Sequence, residues 1–120
     1  MGMGTLTATE LQIIRSMLVK QYGAASPFLD QLAGARVDKR RMTGVGVFVD
    51  LLIAENAERV DQINSEISES YPTSLAPPCD LVGFTLFIRS GHLSFLEGYT
   101  FGDVKWPDDL MGKWLVLDPV

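Results

Sequence analysis

Leu81-Val82-Gly83-Phe84-Thr85-Leu86-Phe87-Ile88-Arg89-Ser90-Gly91-His92-Leu93-Ser94-Phe95-Leu96-Glu97-Gly98-Tyr99-Thr100-Phe101 is the stretch on which the fold depends. Two runs rich in aromatic and branched residues flank Arg89-Ser90-Gly91-His92, and Gly91 supplies the positive φ that a tight turn needs, so the stretch reads as an antiparallel hairpin turning at Ser90-Gly91. Strict alternation along its second strand sets Leu93, Phe95, Tyr99 and Phe101 on one face, with Glu97 in their midst.

Working upstream, Val45, Val47, Val49, Leu51 and Ile53 alternate with Gly46, Phe48, Asp50 and Leu52, a period of two that marks another strand. Arg36 to Met42 precedes it across Thr43-Gly44, which predicts a second hairpin whose first strand is polar and exposed. Between the hairpins, Ala54 to Ser70 fits either period: Ala57, Val60, Ile63 and Ile67 can line a helix, while Ile63, Ser65 and Ile67 also alternate. The poor helix propensity of Asn and Ser tips it towards a strand. Tyr71 to Cys79 holds Pro72, Pro77 and Pro78 and reads as a loop.

Further upstream the period becomes helical. Thr7-x-x-Glu10 is a capping box, Leu11, Ile14, Leu18 and Tyr22 form an apolar stripe with Glu10, Arg15 and Lys20 off it, and Gly23 ends the helix. Ser26-Pro27 starts a short second helix over residues 27–33, closed by Gly34. After the last hairpin, residues 102–112 form an irregular crossing, and residues 113–117 are apolar enough to tuck onto the body.

The fold class that follows is α+β: two N-terminal helices packed on one face of a four- or five-stranded, mostly antiparallel sheet, with residues 1–120 as a single domain. Hydrophobic residues make up 47% of the chain and charged residues 21%, the balance of an ordinary globular domain. Ten Lys and Arg against fifteen Asp and Glu leave a net charge of -5, which argues against phosphate-backbone binding, so nucleic acid is not expected as a partner. One cysteine, Cys79, rules out an intramolecular disulfide and suits a reducing cytoplasm. Neither a secretory leader nor an apolar run of membrane-spanning length stands out, so no membrane association is expected.

Little catalytic equipment is visible. The main nucleotide, hydrolase and zinc signatures are absent from the sequence. Any histidine chemistry must use His92, in the predicted hairpin tip, about 30 Å from Cys79 at the far end of an extended strand, so a Cys-His pair is disfavoured. Asp103, Asp108 and Asp109 share one loop without the spacing of a calcium site, so no metal or other cofactor is expected. The informative residue is Glu97: a carboxylate among aromatics is either tuned for acid-base work or accepts hydrogen bonds that pin the following loop, and the structural role is the commoner. In the alternative arrangement Leu96 faces inward and Glu97 meets water. Glu97, Tyr99, Asp103 and Trp106 are the candidate ligand-binding residues. Arg36, Lys39, Arg40 and Arg41 gather four of the ten basic residues and are the candidate partner-binding patch, or else an edge strand protected by charge.

The run from Gly83 to Leu93, followed by Leu96-Glu97-Gly98-Tyr99-Thr100-Phe101-Gly102-Asp103 and Trp106-Pro107, resembles small bacterial proteins of uncharacterised function. The resemblance covers about the last third of the chain and implies N-terminal helices on an antiparallel sheet, with no activity attached. Two functional classes therefore stand at the level of sequence. The first is a non-catalytic cytosolic domain that binds a protein partner or self-associates. The alternative is a small ligand-binding or enzymatic domain with a pocket around Glu97.

Overall fold

The chain order is α1 (Ala8–Tyr22), α2 (Pro27–Ala33), β1 (Arg36–Met42), β2 (Gly46–Leu52), β3 (Ser65–Pro72), β4 (Leu81–Arg89) and β5 (His92–Thr100). The computed structural model describes residues 4–102, 104–107 and 115. Five strands form one sheet in the order β1-β2-β5-β4-β3, and every neighbouring pair is antiparallel. The last hairpin thus supplies the two strands at the middle, β5 and β4, while β1 and β3 are the edges. Both N-terminal helices lie on one face of this sheet, as the α+β reading requires.

Local chemistry accounts for the elements. The Thr7 side chain accepts from the Glu10 amide and Glu10 accepts from the Thr7 amide, which closes the capping box, and Gly23 ends α1 with φ of 91°. The Ser26 side chain accepts from the Phe28 amide, with Pro27 at the first helical position. In the central hairpin Ser90 and Gly91 both take positive φ, 52° and 78°, the pattern of a two-residue turn matched to strand twist.

The helix stripe is rotated from the one the spacing suggested. Ile13, Ile14, Met17 and Leu18 are the buried residues of α1 together with Glu10, whereas Leu11 is 39% exposed. Glu10 moves inside because Arg40 of β1 reaches it with two hydrogen bonds, of 2.6 and 2.9 Å, so a paired carboxylate takes a place that an unpaired one would find costly.

Two segments between the hairpins differ from their reading. Only the end of the 54–70 segment is strand, beginning at Ser65. Residues 54–64 form turns that lie against the β4–β5 turn, with the Val60 amide donating to Gly91 and the Gly91 amide to Ile63. Tyr71 and Pro72, expected in a loop, are the last residues of β3. Pro72 is tolerated because β3 is an edge strand, where a missing amide donor breaks no ladder. Of the C-terminal segment, Leu115 pairs with Thr73 and packs partly against the core; the rest of residues 113–117 lies outside the described residues.

Candidate functional site

Register decides which side chains share a face. Phe87 pairs with Phe95, but Ile88 pairs with Leu93, so Ser94 is an extra residue in β5 at a β-bulge. One inserted residue reverses the parity of everything beyond it. Leu93, Leu96 and Gly98 therefore face the helices and are buried, while Phe95, Glu97 and Tyr99 turn to the opposite face and are half-buried. The expected common face of Leu93 with Phe95, Glu97, Tyr99 and Phe101 is corrected by this bulge, and the arrangement with Leu96 inward is the one that forms.

The face away from the helices is built in rows. Lys39, Asp50, Phe95, Phe87 and Glu66 are cross-strand neighbours from β1 to β3, and Arg41, Phe48, Glu97, Thr85 and Ser68 form the adjacent row. Across these rows runs a continuous stack. The Phe87 and Phe95 rings lie 4.2 Å apart at 16°, Phe48 is 5.9 Å from Phe95, and guanidinium groups cap both ends. Arg41 sits 4.7 Å over Phe48 and Arg89 5.2 Å over Phe87. Asp50 fixes Arg41 with hydrogen bonds of 2.8 and 3.1 Å, which raise the guanidinium pKa, and Glu66 lies 3.6 Å from Arg89. Beyond the stack, Ser68 and Thr85 share a 2.8 Å hydrogen bond, and Phe101 meets the Tyr99 ring edge-on at 5.6 Å. Leu52, Leu81 and Phe101 extend this face as exposed apolar side chains.

Of the candidate ligand-binding residues, the three that are described are not brought together. Glu97 and Tyr99 stand on the open face, whereas Trp106 is buried on the helix side, 5.8 Å from the Phe84 ring and against the α-carbon side of Gly98 that a Cβ would fill. The thickness of the sheet separates Glu97 from Trp106. Asp103, with Asp108 and Asp109, lies outside the described residues. Glu97 makes no hydrogen bond or ion pair among the described residues, and the segment after β5 is held by other groups. The Thr100 hydroxyl donates to Val104, the Trp106 amide donates to Gly44 at 2.9 Å, and Phe84 packs on the indole.

The basic patch divides between the two faces. Arg41 joins the open-face stack and Arg40 points to the helix side, where hydrogen bonding to Glu10 raises its pKa against the opposing effect of burial. Arg36 and Lys39 are exposed, on the open-face side of β1. His92 lies beside the turn with its Nε2 3.4 Å from the Ala57 carbonyl, and Cys79 precedes β4 half-buried, its thiol 3.7 Å from the Lys105 carbonyl. Among the described residues, no cluster of three or more His, Cys, Asp or Glu is placed to hold a metal ion, and no helix is long and apolar enough to cross a membrane.

One polar residue the sequence did not single out joins α2 to the central hairpin. Gln31 is 1% exposed; its amide donates to the Glu58 and Gly91 carbonyls at 2.8 and 2.9 Å and accepts from the Leu93 amide at 2.9 Å. Its amide group is fully used in structure, which removes it from candidate chemistry. Tyr71 carries a further buried polar group: burial, and then the charge of Glu69, pushes its phenol up to about 12. A groove of about 460 Å³ between α1 and α2 is lined by Leu11, Gln12, Arg15, Leu29, Leu32 and Ala33.

Compared with known proteins, the chain matches no family model, no curated protein and no solved structure.

Proposed function

We propose that the chain is a non-catalytic, cytoplasmic bacterial domain that binds a protein through the open face of its sheet. One observation carries the reading: the row Arg41–Phe48–Phe95–Phe87–Arg89, on four adjacent strands, has no secondary-structure element of the described residues over it. Aromatic rings and arginines are the side chains in which binding energy concentrates at protein interfaces. Antiparallel sheets with one solvated face ordinarily alternate apolar-in with polar-out, so three phenylalanines on the outer side are a departure that packing against the helices does not explain. The carboxylates on the same face, Asp50, Glu66 and Glu97, weigh against a polyanion and favour a polypeptide.

A catalytic reading would need Glu97 beside Trp106 in one pocket, and they occupy opposite sides of the sheet. Affinity capture from the host with tagged wild type and Phe87→Glu tests the proposal. Species recovered by the wild type and lost by a folded Phe87→Glu support it; species recovered equally by both overturn it.

A further inference from the structure

The occupant of the open face can be specified, on the proposal that this face binds a protein at all. We infer that it is a second copy of the same chain, packed sheet against sheet about a two-fold axis running along β5, with Phe95 at its centre and Lys39 of each copy facing Glu66 of the other.

The topology provides the symmetry. β5 is the third of five strands, so an axis along it lays β1 over β3 and β2 over β4 of the other copy. Because such an axis preserves position along the strands, each row meets the same row of the second copy. In the row of Phe95, Lys39 on β1 then meets Glu66 on β3, and the two Phe95 rings meet each other.

At the ends of the row charge fits this arrangement, whereas on the axis each Glu97 meets the Glu97 of the other copy, a like-charge pair that opposes it. Lys39 makes no ion pair or hydrogen bond among the described residues, and the Glu66 side chain, 57% exposed, has only the 3.6 Å contact to Arg89. Both are therefore open to a partner. The face carries Arg36, Lys39, Arg41 and Arg89 against Asp50, Glu66 and Glu97, a net of +1, while the whole chain is at -5. Two copies approaching through this face escape the repulsion that their overall charge imposes elsewhere. A strongly acidic or basic partner would find no matching excess.

Size fits as well. Five strands about 4.8 Å apart and eight residues long at about 3.3 Å each give a face of roughly 24 by 26 Å. With its side-chain relief, that approaches the roughly 800 Å² per partner of a standard interface. Two sheets about 10 Å apart would bury the phenylalanine stack as a sandwich core.

Sedimentation equilibrium of the full chain from micromolar to millimolar concentration tests the inference. A monomer–dimer equilibrium is expected, weakened about thirtyfold or more by Phe95→Glu, the loss of a central aromatic anchor. Lys39→Glu and Glu66→Lys each weaken it, and the double variant Lys39→Glu/Glu66→Lys recovers it, a result that misfolding of a single variant cannot mimic. Glu97→Cys in a Cys79→Ser background should form an intermolecular disulfide on oxidation, and Gln21→Cys on α1 should not. A wild type monomeric at millimolar concentration overturns the inference, as does a dimer indifferent to Phe95→Glu or to the charge exchange. If the wild type is monomeric yet capture of a host protein is lost in Phe87→Glu, the second copy fails while the binding face stands.

Discussion

The two faces of β4 are made from alternate residues of one strand and obey different rules. Towards the helices, Val82, Phe84, Leu86 and Ile88 are all buried and meet the apolar side of α1 and α2. Away from them, Gly83, Thr85, Phe87 and Arg89 mix the smallest residue, a hydroxyl, an aromatic ring and a cation. The covered face is a continuous core whose composition follows from water exclusion alone. On the other face no helix dictates the side chains, and aromatic rings kept there need another reason. The contrast separates what holds the chain folded from what is available for recognition, and substitutions that differ only in the face they touch can break or sharpen it.

The largest effect is expected on the covered side. Leu86 and Leu18 are both at 0% exposure, one from β4 and one from α1, so Leu86→Ala or Leu18→Ala should each cost about 2 to 5 kcal/mol of unfolding free energy, through lost transfer energy and an unfilled cavity. Denaturant midpoints at unchanged slope measure it. A loss below about 0.5 kcal/mol at either site, the range of surface substitutions, would mean the two faces are not energetically distinct.

The covered face was the legible one. Leu18 follows from helical spacing, the hairpin from Ser90-Gly91 between apolar runs, and the α2 boundaries from Ser26-Pro27 and Gly34, because each is a local signal read within one turn of chain. What resisted reading is non-local. The burial of Glu10 depends on Arg40, thirty residues away. Gln31 depends on carbonyls at 58 and 91, and the parity of β5 on one extra residue whose presence is set by pairing with β4. A bulge leaves no composition mark, so alternation taken strictly carried Glu97, Phe95 and Tyr99 to the wrong side and assembled a pocket with Trp106 that the register divides. The open face became visible only when cross-strand pairing brought Phe48, Phe87 and Phe95 together.

A smaller loss is expected where the covered face is joined by hydrogen bonds. Gln31→Leu keeps apolar volume yet leaves the Leu93 amide without its partner, at about 1 to 3 kcal/mol for a buried group left unpaired, while the Gly91 carbonyl keeps the Val60 amide. The amide hydrogen exchange of Leu93 should accelerate in step with the midpoint change. Unchanged Leu93 protection would show that the side chain is replaceable by water.

Two glycines provide a matched pair. A Cβ on Gly98 would come within 2.8 Å of both the Phe84 and Trp106 rings, which are buried and cannot withdraw, whereas a Cβ on Gly83 would meet the Tyr99 ring at 2.4 Å, a half-exposed side chain on the open face. Gly98→Ala should therefore cost about 1 to 3 kcal/mol by overpacking. Gly83→Ala should cost less despite the closer approach, because the phenol can swing towards solvent. Equal penalties would indicate that Tyr99 is as constrained as the core rings, and that the open face is built more tightly than its exposure suggests.

The smallest effect belongs to Glu97, and its sign separates the two arrangements of β5. Among aromatics and pinning a loop, the carboxylate would be missed, and Glu97→Leu would be the more damaging of its replacements. On the open face, between Phe48 and Thr85 and with no hydrogen bond among the described residues, it supports nothing that leucine removes. Glu97→Leu is therefore expected within about 0.5 kcal/mol of wild type, and Glu97→Gln likewise, as for surface positions. The measurement belongs at low micromolar protein, where self-association adds least to apparent stability. A loss above about 1 kcal/mol for leucine with recovery in glutamine would restore an accepting role to the carboxylate. Near-equality of all three would leave Glu97 as a charge kept on an aromatic face for what it repels or meets there, since exposed apolar faces without such charges invite unselective contact.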